Sequence, residues 1–122
     1  MATLQVELVS PERILYSGEA EMVVCRTIGG GEVAFLPGHA PFMGALEISR
    51  VKVKGGPAGD VMAAVHGGFV HVRENKVIVL SDVAELAAQI DVDRARRARE
   101  GAGDDEAARR RADVRLDVAG SA

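Results

Sequence analysis

The sequence is poor in cysteine and in aromatic residues. It has one cysteine, no tryptophan and four aromatic side chains among 122 residues. Cys25 has no second cysteine to pair with, which excludes a small scaffold held by internal disulfides and agrees with a reducing compartment. Its neighbours Val23 and Val24 indicate a buried structural thiol. No apolar run approaches the ~20 residues of a membrane-spanning helix. Residues 1–5 lack the basic and apolar regions of a secretion signal.

The chain also lacks an excess of either charge. The net charge of −3 is too acidic for a protein that binds nucleic acid through general phosphate attraction. Residues 91–122 are rich in arginine, but they carry eight basic and eight acidic groups and are neutral overall. We therefore interpret the arginines as a solvated helical surface and expect no nucleic-acid partner.

The first 88 residues follow a β pattern. Leu4, Val6 and Leu8 alternate with polar residues, which is the period of a half-buried strand. Further strand-like runs recur about every 8–12 residues, separated by turns such as 55–59 and by a break at Gly67–Gly68. This spacing predicts a β-sandwich of two antiparallel sheets with about ten strands, covering residues 1–88.

Residues 89–122 change to a helical pattern. Asp91 is placed to cap a first helix that ends near Gly101, and 104–106 supply an acidic N-terminus for a second helix. The two helices form a hairpin. Large apolar residues are few here, and short helices are marginal without packing. We therefore expect a hairpin that can leave its docking site on the sandwich.

No pattern in the chain indicates catalysis. His39, His66 and His71 lack the partners and spacing of a metal site. The serines lack the context of a nucleophile elbow, and the phosphate-binding loop of nucleoside triphosphatases is absent. The sequence therefore predicts a non-enzymatic protein without a metal or an obligatory cofactor.

The most distinctive segment is 29–46, where five glycines and two prolines punctuate two apolar runs. Such punctuation predicts a tight β-connection, with Glu32 and His39 as isolated polar residues at strand ends.

Three segments, in order and with matching spacing, resemble the epsilon subunit of bacterial F-type ATP synthases along nearly the whole chain. The first is 4–12 (LQVELVSPE) followed by 16–20 (YSGEA). The second is 31–41 (GEVAFLPGHAP). The third comprises 67–72 (GGFVHV) and 75–85 (NKVIVLSDVAE), leading into 90–95 (IDVDRA).

The resemblance implies a non-catalytic rotor subunit in the central stalk of a proton-translocating ATP synthase. Its sandwich would bind the gamma subunit and rest on the polar loops of the c-ring, with Glu32 and His39 as c-ring contacts. Its C-terminal helices would reach the alpha/beta catalytic hexamer and inhibit ATP hydrolysis. The implied location is peripheral, on the cytoplasmic face of the bacterial plasma membrane.

The resemblance also raises the question of a regulatory ATP site on the folded hairpin. The matching motif supplies Ile90, Asp91, Arg94 and Ala95. Arg111 and Arg115 are four residues apart on the second helix, hence on one face, and guanidinium groups suit phosphate. Glu85 is a candidate for the adenine end. The alternative is that Asp91 is only a helix cap and that the arginines are surface charges.

A second class of function remains open. The alternative to a rotor subunit is a free-standing β-sandwich that senses ATP or binds a protein. The two classes differ in partners, because only a rotor subunit would associate with gamma and with the alpha/beta hexamer.

Overall fold

A computed structural model of the chain describes residues 2–120. It contains eight strands, a short 3₁₀ turn at Ala87–Gln89 and two α-helices. The strands are β1 Leu4–Ser10, β2 Arg13–Ala20, β3 Met22–Thr27, β4 Gly31–Phe35, β5 Phe42–Gly56, β6 Gly59–Arg73, β7 Lys76–Leu80 and β8 Ala84–Leu86. The helices are α1 Val92–Gly101 and α2 Glu106–Ala119.

The strands form one continuous hydrogen-bonded path, β2-β1-β7-β6-β5-β3-β4, with β8 beside β6. The number of strands is eight rather than about ten, because two predicted runs merge into the 15-residue β5 and because β6 continues through its glycines. The sheets are also not wholly antiparallel, since β1 pairs with β7 in parallel. The predicted sandwich followed by two helices is otherwise confirmed.

The sequence pattern predicts a strand break at Gly67–Gly68. In the structure this pair does not end the strand but reverses its inward face. Before the pair, Ala63 and Val65 are buried; after it, Val70 and Val72 are buried. The burial pattern thus shifts from odd to even positions within one strand, which a regular period of two forbids. Both glycines have positive φ, at 82° and 125°. A Cβ on Gly68 would lie 2.2 Å from the carbonyl oxygen of Leu80, so only glycine fits there.

This reversal lets β6 serve two layers. Its first half pairs with β8 through residues 63–65, and its second half pairs with β7 through residues 69–73. The inward side chains of both halves join one apolar core. That core consists of residues from every strand, including Leu4, Val6, Leu8, Val23, Cys25, Phe35, Leu46, Val51, Val53, Val65, Val70, Val72, Val77 and Val79.

The helical hairpin packs on one outer face of the sandwich. Helix α2 lies against β5 and β6 through a small second cluster that contains Ala64, Ile90 and Val118, with Met62 and Val114 partly buried beside them. Asp91 caps α1 by accepting a hydrogen bond from the Arg94 amide at 3.0 Å, as the sequence predicted. Asp105 caps α2 in the same way through the Ala108 amide.

Candidate functional site: a cleft, a half-buried ion pair and an apolar face

A cleft of about 300 Å³ lies between the hairpin and the sandwich. It brings together five of the seven residues proposed for ATP binding: Glu85, Asp91, Arg94, Ala95 and Arg115. They come from β8, from the start of α1 and from the last turns of α2. Asp91 serves as a helix cap at the same time, so its carboxylate is oriented by the backbone of α1.

The other two proposed residues lie outside the lining of this cleft. Ile90 is 8% exposed and belongs to the apolar cluster beneath α2. Arg111 is half-buried, one turn before Arg115 on α2. The motif around residue 90 therefore combines an apolar anchor with groups that face the cleft.

Glu85 is already engaged within the protein. Its Oε1 accepts a hydrogen bond from the Arg115 Nε at 2.5 Å and lies 3.4 Å from the His66 Nε2. The side chain of His66 is only 4% exposed. Burial lowers the pKa of His66, and the Arg115 and Arg111 charges lower it further, whereas hydrogen bonding and attraction to Glu85 raise it. Neutral His66 therefore donates to Glu85 through Nε2, which leaves Nδ1 without a hydrogen-bond partner among residues 2–120.

Sequence reasoning missed the position of His66. Its signal was present, because Met62, Ala64 and His66 share one face of β6, opposite to the core positions Ala63 and Val65. What the pattern lacked was a reason to expect a charged pair from β8 and α2 on that face.

Glu32 and His39 lie at opposite ends of β4. Glu32 is exposed at the start of the strand, opposite Arg26 on β3, and borders a groove beside α2 that also contains Glu47 and Arg110. His39 follows the strand and stacks edge-on against Phe35, with ring centroids 4.9 Å apart. The two residues therefore do not share a cleft.

The loop that carries His39 is fastened to a second turn of the sandwich. The amide of Gly38 donates to Asn75 Oδ1 at 3.0 Å, and the Asn75 amide group donates to the carbonyl of Thr3. Gly38 has a φ of 82°, as the glycine-rich pattern predicted. These bonds make the 36–41 loop a stiff edge of the sandwich.

A second outer face of the sandwich is apolar and uncovered. Phe69 is 59% exposed, and its cross-strand neighbour Leu80 is 48% exposed. Met43 is 70% exposed and lies on the same face, opposite His71. Ile14 continues it through its pairing with Val9. We call the residues Ile14, Met43, Phe69 and Leu80 the outer apolar face. Large exposed apolar residues that cluster in this way mark an interaction surface, whereas apolar residues that are exposed singly need no such explanation.

The only cysteine takes no part in any such site. Cys25 is 1% exposed, and burial, aided by the nearby Glu32 carboxylate, raises the pKa of its thiol to about 12. The thiol is therefore protonated and unreactive at neutral pH, as its apolar neighbours predicted. Within residues 2–120 no group of three or more histidine, cysteine or acidic side chains is placed to hold a metal ion. None of the described helices is long and apolar enough to cross a membrane.

These features define a class: a β-sandwich with a docked helical hairpin, built around interaction surfaces. Comparison with known proteins narrows the class. Residues 3–87 match the family model of the ATP synthase delta/epsilon chain, β-sandwich domain. The chain is 50% identical over 117 residues to the ATP synthase epsilon chain of Streptomyces griseus subsp. griseus, covering 94% of each. It is 45% identical over 102 residues to that of Brevibacillus brevis, covering 84% of this chain and 76% of the relative.

Solved structures agree on the fold. A chain in the Tetrahymena thermophila mitochondrial ATP synthase central stalk and c-ring aligns over 97% of this chain and 96% of its own, with a TM-score of 0.64 and 17% identity. One in the Euglena gracilis mitochondrial ATP synthase aligns over 97% and 78%, with a TM-score of 0.66 and 22% identity. The chain belongs to the family of ATP synthase epsilon chains, the non-catalytic subunits of that complex.

Proposed function

We propose that the chain is a rotor subunit in the central stalk of a proton-translocating F-type ATP synthase. The observation that carries this proposal is the unequal use of the two outer faces of the sandwich. One face holds a loosely packed hairpin, whereas the other is apolar and bare. A rotor subunit needs one permanent interface and one element that moves, and the two faces fit these two needs.

The outer apolar face is proposed to bind the gamma subunit. Phe69, Leu80 and Met43 offer aromatic and flexible apolar side chains, which are enriched at the centres of protein interfaces. A subunit that turns with its partner needs a lasting contact, and apolar burial supplies it without the salt sensitivity of surface charges. A free-standing monomer would leave this face exposed to water.

Glu32 and His39 are proposed as contacts to the polar loops of the c-ring. The stiff 36–41 loop holds His39 at one edge, and Glu32 presents an exposed carboxylate at the other end of β4. A c-ring would therefore have to meet both ends of the strand, or each residue would face a different part of the rotor. The corresponding location is peripheral, on the cytoplasmic face of the bacterial plasma membrane.

The hairpin is proposed to leave the sandwich, extend towards the alpha/beta hexamer and inhibit ATP hydrolysis. Its docking supports such movement, because α1 buries only Ala95 and α2 buries only Ala112 and Val118. The ion pairs between hairpin and sandwich are partly or fully exposed, as at Arg50–Asp117 and Arg110–Glu47. Exposed pairs of this kind contribute about 0–1 kcal/mol each.

The cleft beneath the hairpin is proposed to bind ATP as a regulator. Arg94 and Arg115 face one space with Asp91, which suits a phosphate chain beside a ribose or base. Glu85 is held by Arg115, so ligand binding at its end would exchange one partner for another. Bound ATP would stabilise the docked hairpin by only about 0.4 kcal/mol when its concentration equals its dissociation constant.

Association with gamma tests the function directly. The full chain, coexpressed with gamma from the same genome, is expected to co-purify as a stable pair. Phe69→Ser is expected to weaken the pair at least tenfold, whereas the matched change Leu36→Ser, at an exposed residue outside the outer apolar face, is expected to leave it intact. A chain that stays monomeric beside folded gamma would instead support the free-standing module.

Inhibition is tested by restraining the hairpin. Arg50→Cys and Asp117→Cys, joined by a short thiol-reactive crosslinker, hold α2 on the sandwich, and buried Cys25 stays unreactive. A catalytic complex that contains the crosslinked chain is expected to hydrolyse ATP faster than one with the uncrosslinked double variant. Equal rates would contradict an inhibitory extended state.

Titration calorimetry with millimolar ATP tests the cleft. The wild-type chain is expected to release heat on binding, and Arg94→Ala is expected to weaken the affinity. Arg96→Ala is the matched control, because Arg96 pairs with Asp93 on the exposed side of α1. Absence of heat from the wild-type chain would end the proposal of an ATP site.

A further inference from the structure

His66 is a buried titratable group at the contact between sandwich and hairpin. The charged groups that act on it are Glu85 on β8 and Arg115 and Arg111 on α2. From β5 the residue opposite is Ile48, which carries no charge. The His66 imidazole therefore shares the Glu85 carboxylate with Arg115. Both cationic side chains that act on it, Arg115 and Arg111, belong to the hairpin.

We propose that His66, Glu85 and Arg115 form a pH-sensitive latch that releases α2 from the sandwich on acidification. Glu85 has one oxygen, Oε1, that faces both His66 and Arg115. A proton on His66 would place a second positive charge beside Arg115 in a site with little water. Among residues 2–120, Glu85 is the one acidic group that acts on His66, so no second carboxylate balances that charge. The hairpin, which carries Arg115 and Arg111, would therefore move away.

The thermodynamic direction follows from the two states of His66. In the docked state burial, Arg115 and Arg111 lower the pKa of His66 more than Glu85 raises it. In the undocked state His66 regains water, loses both arginines and keeps Glu85, so its pKa rises to the ordinary value or above. The undocked state therefore binds the proton more tightly. The docked state is therefore most stable at pH values above the pKa that His66 has in the undocked state. It loses stability as the pH falls through that value.

The size of the effect has an upper bound for an ordinary undocked histidine. With a pKa of about 6.5 in the undocked state, the ratio of undocked to docked chain rises at most about tenfold between about pH 7.5 and pH 5.5. The latch concerns docking alone. Its consequence, stronger inhibition of ATP hydrolysis in acid, rests on the proposed function.

Amide hydrogen exchange of the full chain, read by mass spectrometry and corrected for the intrinsic effect of pH, tests the latch. Protection of α2 peptides is expected to fall several-fold between pH 7.5 and pH 5.5, while peptides of β1 keep theirs. In His66→Gln, which cannot be charged, α2 protection is expected to be independent of pH. His71→Gln is the matched control at an exposed histidine of the same strand and is expected to behave like the wild type.

Two results would overturn the latch. One is an equal response to pH in His66→Gln, which would assign the effect to a group other than His66. The other is a pKa of His66 that is not below the ordinary histidine value of about 6.5 in the docked wild-type chain, measured by nuclear magnetic resonance of the ring protons. The second measurement needs no variant, so it decides the matter even if His66→Gln fails to dock. Neither outcome bears on gamma binding, which tests the proposed function separately.

Discussion

The sandwich and the hairpin of this chain are held by different means. Within residues 2–120, seventeen buried residues from all eight strands form the sandwich core, and most of them are branched or aromatic. Helices α1 and α2 bury three residues of their own, and two of these are alanines. Because hydrophobic stabilisation scales with the apolar area removed from water, the sandwich is an independent core and the hairpin is an attachment to it.

The difference teaches where regulation can act in this fold. A modest change in free energy cannot open the sandwich, but it can shift the docking of the hairpin, since that docking rests on a few methyl groups and partly exposed ion pairs. The same elements that weaken the hairpin also surround the cleft and the His66–Glu85–Arg115 cluster. A ligand in the cleft and a proton on His66 would thus both act on the docking of the hairpin, which is the least stable part of the molecule.

The largest expected effect is on the sandwich core. Phe35→Ala should lower the free energy of unfolding by about 3–5 kcal/mol, because Phe35 is fully buried and packs against Phe42 and His39. Phe69→Ala, at an exposed position, should cost less than about 1 kcal/mol. Denaturation in urea checks both. Similar losses in the two variants would contradict the assignment of Phe35 to the core and Phe69 to a binding face.

A smaller effect is expected at the docking cluster. Val118→Ala removes two methyl-sized groups from a fully buried site and should weaken docking of α2 by about 1.5–2.5 kcal/mol. Hydrogen exchange should rise in α2 while the urea midpoint of the sandwich stays the same. Val83→Ala, at a site 46% exposed, is the control. If Val118→Ala lowered the stability of both regions together, hairpin and sandwich would be one cooperative unit.

The cap of the first helix should matter about as much as one hydrogen bond. Asp91→Ala removes the bond to the Arg94 amide and should destabilise α1 by about 1 kcal/mol. Circular dichroism and exchange of α1 amides measure this loss. Asp93→Ala, which removes an exposed acidic group in the same turn, should cost less. A larger loss for Asp93 would show that charge, rather than capping, begins this helix.

The smallest effect is expected at the exposed ion pair between α2 and β5. A double-mutant cycle on Arg50 and Asp117, whose Nη1 and Oδ2 atoms are 3.3 Å apart, should give a coupling energy of about 0.5 kcal/mol or less. The coupling should shrink further in 0.5 M salt, because dissolved ions screen the attraction between these two exposed charges. A coupling above about 1.5 kcal/mol would show that ion pairs, and not Val118, hold the hairpin.

Much of the fold was predictable because its signals are local. The alternation of Leu4, Val6 and Leu8 predicted β1. Asp91 predicted the start of α1, because its capping hydrogen bond joins residues only three positions apart in the sequence. The error in the strand count has a physical cause as well. The pattern at Gly67–Gly68 predicts a break because two adjacent glycines usually interrupt a strand, yet here they reverse its inward face without ending it.

The candidate sites were predictable only in part. Five of the seven residues proposed for ATP line one cleft because the motif at 90–95 starts a helix that faces α2. The outer apolar face and the burial of His66 were not predicted, because exposure of Phe69 or burial of His66 depends on which surface the helices cover. A single strand with the same alternation would fit either face.

By itself, the sequence determined most of the strands, the cap of the first helix, the inert thiol and the family, since each depends on short-range periodicity, capping or motif spacing. Only the tertiary structure decided that residues 66, 85 and 115 meet and that one outer face is covered while the other is bare. The reason is that β8 and α2 both pack against β6, and such long-range placement arises from pairing register and docking, which no local pattern encodes.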